Sequence, residues 1–308
     1  MIAPLIPADL AAQVRSWVPS GKVQLLESTV GGFSNLSFLA RINGEKSVVK
    51  AASADLKRAD IRREAEILGR LAESEVPFPV PTAVVLLEGG WTVLITRHFE
   101  GTSAIERRPG PAGLRIRAEI LGRLLATIHA TSIAPDRASE CGLNLVERAD
   151  SAAGMVQSSD LPDRVRAQLI ASLQDPIMRK GMALVHGDFG LHNVLWVEGP
   201  GRAVRLGLIH DWEWAGWGNP LVDIAWLWWS FQHRKIGEEP WRAFVAGYGA
   251  WAMSALGWSP ETVTTLVRAQ MAHLILRTSP GSGPRAEWLS RLSTLTTYAV
   301  PKLPSGST

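Results

Sequence analysis

HGDFGLHN at residues 186–193, running on into VLWV at 194–197, sets an Asp and an Asn five positions apart on a loop that opens directly into a strand. Asp211 follows eighteen residues after Asn193, at the end of a second strand-like run, RLGLIHD. If these two strands pair as a hairpin, Asn193 and Asp211 come to the same end of a sheet. Two oxygen donors converging there suit Mg²⁺, a hard cation that takes carboxylate, carbonyl and phosphate oxygens. Asp188 is then left without metal duty and free to accept a hydrogen bond from an incoming hydroxyl. Phosphoryl transfer needs this division of labour: a positioned nucleophile, metal-neutralised phosphates and little covalent chemistry by the protein.

Outward from this block the chain changes character once. Residues 7–17 have helical spacing behind a Pro. VQLLEST, SFLARI and SVVKAA read as strands, and Asn43-Gly44 is a hairpin turn signal. Ser53 to about Ala72 is an amphipathic helix with Ile61, Ala65, Leu68 and Leu71 along one face. VPFPVPTAVVLL ends it and leads into a strand, and WTVLITRHF is another. Beyond Gly101-Thr102 the segments 111–130, 160–180, 221–234, 240–256 and 260–277 read as helices. The expected fold class is therefore α+β in two lobes: residues 1–96 a small lobe of antiparallel sheet plus helix, residues 97–308 a larger, mostly helical lobe.

Composition removes several function classes. With 308 residues, 46% of them hydrophobic and 20% charged, the chain has enough apolar surface for two cores, and disorder is excluded as its main state. A single cysteine, Cys141, excludes a disulfide framework or a thiolate-rich metal site and fits a reducing compartment. The start, MIAPLIPADLAAQ, lacks the charged and apolar regions of a secretory signal, and runs such as IAWLWW fall far short of a membrane span. A cytoplasmic protein without a membrane partner is expected. A net charge of +3 is too small to argue for nucleic acid. Neither GxxxxGK[ST] nor GxGxxG occurs, which disfavours P-loop and Rossmann enzymes.

HGDFGLHN, then Asp211-Trp212-Glu213, Gly218-Asn219-Pro220 and Asp223-Ile224-Ala225, in that order, resemble the aminoglycoside phosphotransferase family, relatives of choline kinases with a protein-kinase-like fold. The resemblance covers roughly residues 22–230. It implies ATP or GTP as phosphoryl donor, Mg²⁺ as cofactor held by Asn193 and Asp211, and Asp188 as the residue that accepts the hydroxyl proton. It implies further that Lys50, ending SVVK, contacts the α- and β-phosphates. Glu64 in the following helix would pair with that lysine, with Glu66 as its rival on another helix face. The turn VGGFSNLS would stand for the glycine loop, with Gly31 and Gly32 allowing close approach and Ser34 capping phosphate oxygens. Thr96-Arg97-His98-Phe99 would be the inter-lobe linker, its backbone around Thr96 and His98 bonding the purine. Asp223 is expected to tie the catalytic loop together, and His129 and His186 to be structural.

The resemblance implies an antibiotic kinase, but the acceptor is a separate question. Residues 224–308 carry four Glu against eight Lys or Arg, a poor lining for a polycationic sugar. An apolar, macrolide-type hydroxyl compound suits such an acid-poor region better, and a metabolite such as choline, a sugar or a hydroxy acid is the alternative. Six of the thirteen Trp crowd into 212–229. Most of them should be core; Trp229, Trp241 and Trp251 are the candidates for an aromatic acceptor wall. A protein kinase is disfavoured because only eleven residues separate Asp211 from Asp223, too few for an activation segment. A nucleotide-binding pseudokinase would be expected to have lost one of Lys50, Asp188, Asn193 or Asp211, and all four are present.

Overall fold

Residues 6–18, 22–28, 36–74, 76–82, 84–132, 142–199 and 204–303 are described by a computed structural model of the chain. They divide into two compact units, one of Met1–Thr102 with Leu195–Trp214, the other of Ser103–Val194 with Ala215–Thr308.

In the first unit, α1 (Ala8–Ser16) precedes the strands β1 (Val23–Ser28), β2 (Leu36–Ile42) and β3 (Glu45–Ala52). Helix α2 (Asp55–Glu73) and strands β4 (Val85–Leu87) and β5 (Thr92–Arg97) follow. The sheet is antiparallel, in the order β1-β2-β3-β5-β4. Asn43 and Gly44 both have positive φ, 52° and 88°, the conformation that a two-residue hairpin requires for its twist to match that of the strands. That turn fixes the register Ile42↔Glu45, and with it which residues of β2 and β3 face inward. Phe38, Ala40 and Ile42 alternate into a core shared with Leu10, Val14, Val49 and Ile95. Lys50 lies between Val49 and Ala51, so the pleat turns it to the other face of β3. On α2 the buried positions Ile61, Glu64, Leu68 and Leu71 recur at three and four, which places one carboxylate in the middle of an apolar stripe. The strands Val194–Glu198 and Val204–Ile209 are hydrogen-bonded neighbours, as the hairpin reading required, and lead into a buried 3₁₀ turn at Trp212–Trp214.

The second unit is mainly helical: α3 (Pro111–Ala130), α4 (Leu145–Gln157), α5 (Asp163–Leu173), α6 (Leu221–His233), α7 (Glu238–Tyr248), α8 (Ala250–Ala255), α9 (Pro260–Leu276) and α10 (Gly283–Thr294). One antiparallel pair, Ala183–Val185 with Gly216–Gly218, brackets the HGDFGLHN loop in sequence. Every residue of α6 from Leu221 to Phe231 is buried. The expected order, a strand-rich first part and a helix-rich remainder, holds. Two helices had no counterpart in the sequence reading. α4 buries Leu145, Ala149, Ala152, Ala153 and Val156, a face made mostly of alanine. α10 opens on Gly-Pro, which reads as a turn until Ser282 is seen to cap it from the preceding position. The single helix expected over 240–256 is two, broken at Gly249, whose φ of 107° is closed to other residues.

Helices α3 and α7 approach through glycine. A Cβ on Gly122 would overlap the carbonyl oxygen of Phe244 and come within 2.7 Å of the Tyr248 amide, and one on Gly247 would overlap the carbonyl of Glu119. Backbone against backbone leaves nothing flexible to move aside. Gly122→Ala is therefore expected to cost about 3 kcal/mol of unfolding free energy, despite alanine's better helix propensity. Chemical denaturation reads this, and an unchanged midpoint would show that the two helices do not meet so closely.

Candidate active site

Two groups of polar side chains are built into the fold, one in each unit. In the first, the Lys50 ammonium lies 2.7 Å from both oxygens of Glu64 and 2.6 Å from Oδ1 of Asp211. Glu66 points elsewhere, to the guanidinium of Arg70 one turn along the helix. Glu64 also accepts from the Trp212 amide at 3.2 Å, and the Arg63 guanidinium, paired with Asp60, donates to the carbonyl of Glu213 at 3.0 Å. α2 thus grips the 211–214 turn by its side chains, and Asp211 is held at a φ of 68°, in the left-handed region that a non-glycine residue rarely occupies.

The charge balance here is acidic. Carboxylate oxygens of Glu64, Asp211 and Glu213 all lie within 4.8 Å of one another, an oxygen donor set of the kind that a hard divalent cation takes. Burial alone would neutralise Lys50, but Asp211, Glu64 and Glu213 outweigh it and hold its ammonium above the ordinary lysine range. Burial raises Glu64, against the pull of Lys50. Burial, with the Asp211 charge added, pushes Glu213 up to about 8.

Gly31, Gly32 and Ser34 lie outside the described residues. Thr96 sits in β5 opposite Val48, and the amides of Arg97 and His98 donate to the carbonyls of Thr82 and Lys46. Those two N–H groups are therefore committed within the unit. The His98 imidazole faces Glu100 at 3.4 Å; burial and Lys46 lower its pKa.

The second group is the HGDFGLHN loop. Asp223, wholly buried at the start of α6, accepts from the amides of His186 at 2.8 Å and Gly187 at 2.7 Å, and contacts His129 Nε2 at 3.2 Å. His129 Nδ1 lies 2.9 Å from the Tyr248 hydroxyl, whose pKa is raised by burial and by Asp223. The other side of the Gly187 peptide is held too, its carbonyl accepting from Gln270 at 2.7 Å. His186 is buried, and its Nδ1 accepts from the Asp188 amide at 3.3 Å. The loop is fixed by groups on α3, α6, α7 and α9.

Asp188 emerges from this frame with its side chain 23% exposed. Its Oδ1 accepts from the Trp226 indole at 2.6 Å, and its Oδ2 from Asn193 Nδ2 at 3.0 Å and His192 Nε2 at 3.2 Å. Asn193 donates a second time, to the Asp188 carbonyl at 2.9 Å. Its amide nitrogen is therefore spent on Asp188, and its amide oxygen is the atom left to meet a cation.

The tryptophans need a correction. Trp229 and Trp241 are 4% and 3% exposed, their rings stacked on Trp226 and His233 and on Phe244 and Trp258. They pack the helical core and present no open wall, because α6 is buried all round and α7 lies against it through Phe231 and Trp241. Trp251 is the opposite case, 83% exposed on the short α8. Trp226 was read only as a core or pocket tryptophan, without its bond to Asp188, and Gln270 and Tyr248 went unread in the sequence. Trp226 had a signal, since it lies three residues after Asp223 and hence on the same side of α6.

Known proteins share this arrangement of sheet and helices. The structure resembles the GDP and kanamycin complex of APH(2")-IIia with a TM-score of 0.68 at 18% identity, covering 94% of this chain and 99% of that one. It resembles the streptomycin-ATP-APH(2")-IIa ternary complex with a TM-score of 0.63 at 15% identity, covering 94% and 97%. The fold is that of the aminoglycoside phosphotransferases. In sequence, the viomycin phosphotransferase of Streptomyces vinaceus is 33% identical over 89 residues, a stretch that spans 29% of either protein. The phosphotransferase enzyme family (APH) matches residues 27–259, and the chain belongs to that family.

Asp223 offers a direct test of how the loop is held. Asp223→Ala leaves two buried N–H groups without an acceptor and is expected to cost about 3 kcal/mol or more of stability. A melting temperature equal to that of the parent chain would mean that the loop is held by something else.

Proposed function

We propose that the chain transfers the γ-phosphoryl group of ATP or GTP, with Mg²⁺, to a hydroxyl of a small molecule. The observation that carries this reading is the state of Asp188: partly exposed, without a lysine or arginine hydrogen bond among the described residues, and presented by three donors as a hydrogen-bond acceptor. In this role it receives the proton of the acceptor hydroxyl. Lys50, kept charged by Glu64 and Asp211, binds the nucleotide's phosphates. The Asp211 carboxylate and the Asn193 amide oxygen would hold the cation, which when bound would neutralise phosphate charge. Family membership supports the reaction class. Relatives bound to GDP and to ATP support a nucleoside triphosphate as donor.

For the acceptor, an apolar or macrolide-type hydroxyl compound is favoured over a polycationic aminoglycoside. The support is charge: residues 224–308 carry eight Lys or Arg against four Glu. Arg234, at the end of α6, lies within electrostatic range of Asp188 and Arg291. A polycation brought to Asp188 meets that pair of guanidiniums.

A screen of nucleoside-triphosphate consumption against hydroxyl-bearing antibiotics, sugars, choline-like amines and hydroxy acids tests the proposal. Macrolide-dependent consumption that EDTA abolishes is expected, and the absence of consumption with every acceptor would sink it. On the acceptor found, Asp188→Ala should lower kcat at least ~100-fold while the fold is kept. Lys50→Ala should raise the KM for nucleotide and lower kcat together, because the phosphates lose their cation. Near-parental turnover in Asp188→Ala would remove that residue from the reaction.

A further inference from the structure

We infer that Trp226 is a positioning residue for the transfer, holding Oδ1 of Asp188 through its indole N–H and thereby selecting the oxygen that takes the acceptor's proton. This inference rests on the reading of Asp188 proposed above.

An ionised carboxylate has about four lone-pair positions, two on each oxygen. Among the described residues, Asn193 and His192 fill the two on Oδ2, and Trp226 fills one on Oδ1. One position is left, and it is on Oδ1. The hydroxyl that reaches Asp188 therefore binds the oxygen already held by the indole. In the transfer step the acceptor oxygen forms a bond to the γ-phosphorus. The bond from that phosphorus to its bridging oxygen breaks, with its electron pair leaving on the nucleoside diphosphate. The hydroxyl proton passes to Oδ1.

The donor that fixes this oxygen is unusually well held. Trp226 lies one turn after Asp223 on α6, so a single helix anchors the loop backbone through the carboxylate at 223 and the Asp188 side chain through the indole at 226. Its ring stacks on Trp229 at 4.5 Å between centroids and 25° between planes. Trp288 of α10 lies against both rings, at 6.3 and 6.0 Å, and Trp229 is stacked in turn on His233 at 5.1 Å. The ring is 4% exposed and has no room to rotate away from its acceptor. At 2.6 Å to an ionised oxygen, the hydrogen bond is of the short, charge-assisted kind. Packing alone would be met by any aromatic ring at 226; aiming a donor at Oδ1 is met by Trp.

The test compares two identical substitutions on the same helix. Trp226→Phe keeps an aromatic ring and removes the N–H. Trp228→Phe makes the same change at an indole that is 1% exposed and whose N–H has no hydrogen-bond partner among the described residues. Steady-state phosphate release from MgATP, with water as acceptor, is measured for both, together with melting temperatures. The expected result is a fall in kcat of about 10- to 100-fold for Trp226→Phe, with KM for ATP within twofold of the parent and Trp228→Phe within threefold in kcat. Equal kcat in Trp226→Phe and the parent overturns the inference. So does an equal loss in the two variants, which would report packing.

Indole ¹H–¹⁵N spectra of the parent chain and of Asp188→Asn supply a readout that needs no turnover. The Trp226 resonance, assigned by its loss in Trp226→Phe, should move upfield in Asp188→Asn while that of Trp228 stays in place. A stationary Trp226 resonance overturns the inference independently of activity. A parent chain that consumes neither ATP nor GTP overturns the reading of Asp188 on which it rests, and the spectra then decide the contact by itself.

Discussion

The HGDFGLHN loop depends on one buried carboxylate. Asp223 has no exposed surface, and a charge so placed is tolerable only when every lone pair in reach is met. Here the donors are two consecutive backbone amides, His186 and Gly187, together with His129. The usual argument about buried charge can then be turned round: because the carboxylate requires these partners, the peptides that supply them have one place to be. Gly187, at a φ of 81°, turns the chain directly after those two amides, in the left-handed region that glycine occupies without cost. Everything downstream in the loop inherits that fixed point. Asp188 is the next residue, and its carboxylate is oriented by Asn193, His192 and Trp226.

The Lys50 group follows a different logic. A lone buried lysine loses its charge to desolvation, and a lone buried pair of glutamates loses theirs. Lys50 stays charged because Glu64 and Asp211 meet it directly, and the acids crowd together because the ammonium is there. The cost of assembling such a cluster is met by ordinary packing on either side: the Ile61, Leu68 and Leu71 stripe of α2 and the sealed turn at Trp212–Trp214. In the first unit charges are kept by mutual need; in the second a single charge is kept by backbone donors.

Much of this was legible in the sequence, and the reasons differ by residue. Asp188, Asn193 and Asp211 stood out as candidates because their residue types recur at short, countable spacings, and the structure sets Asn193 on Asp188 and Asp211 on Lys50. The Asn43-Gly44 turn was legible because few residue pairs satisfy two positive φ angles in succession. The strands and the long helices followed from period. The tryptophans misled because residue type does not report exposure: the same side chain is sealed at 229 and 241 and bare at 251. Gln270 and Tyr248 could not be found along the chain. Gln270 bonds the Gly187 carbonyl from 83 residues away and Tyr248 bonds His129 from 119, and a single contact at that range leaves no local pattern. The break at Gly249 was missed for a smaller reason, since an isolated glycine inside a helical run is usually tolerated.

Asp211 is held at a φ of 68°, where a β-carbon costs on the order of 1 kcal/mol that glycine would not incur. Glycine or asparagine would ease that backbone, but either discards the carboxylate that meets the ammonium of Lys50, and a part-buried ion pair broken from one side costs more than the angle returns. The strained angle at 211 is thus held by the ion pair, and the fold itself has a reason to keep an aspartate in a conformation that its own side chain resists.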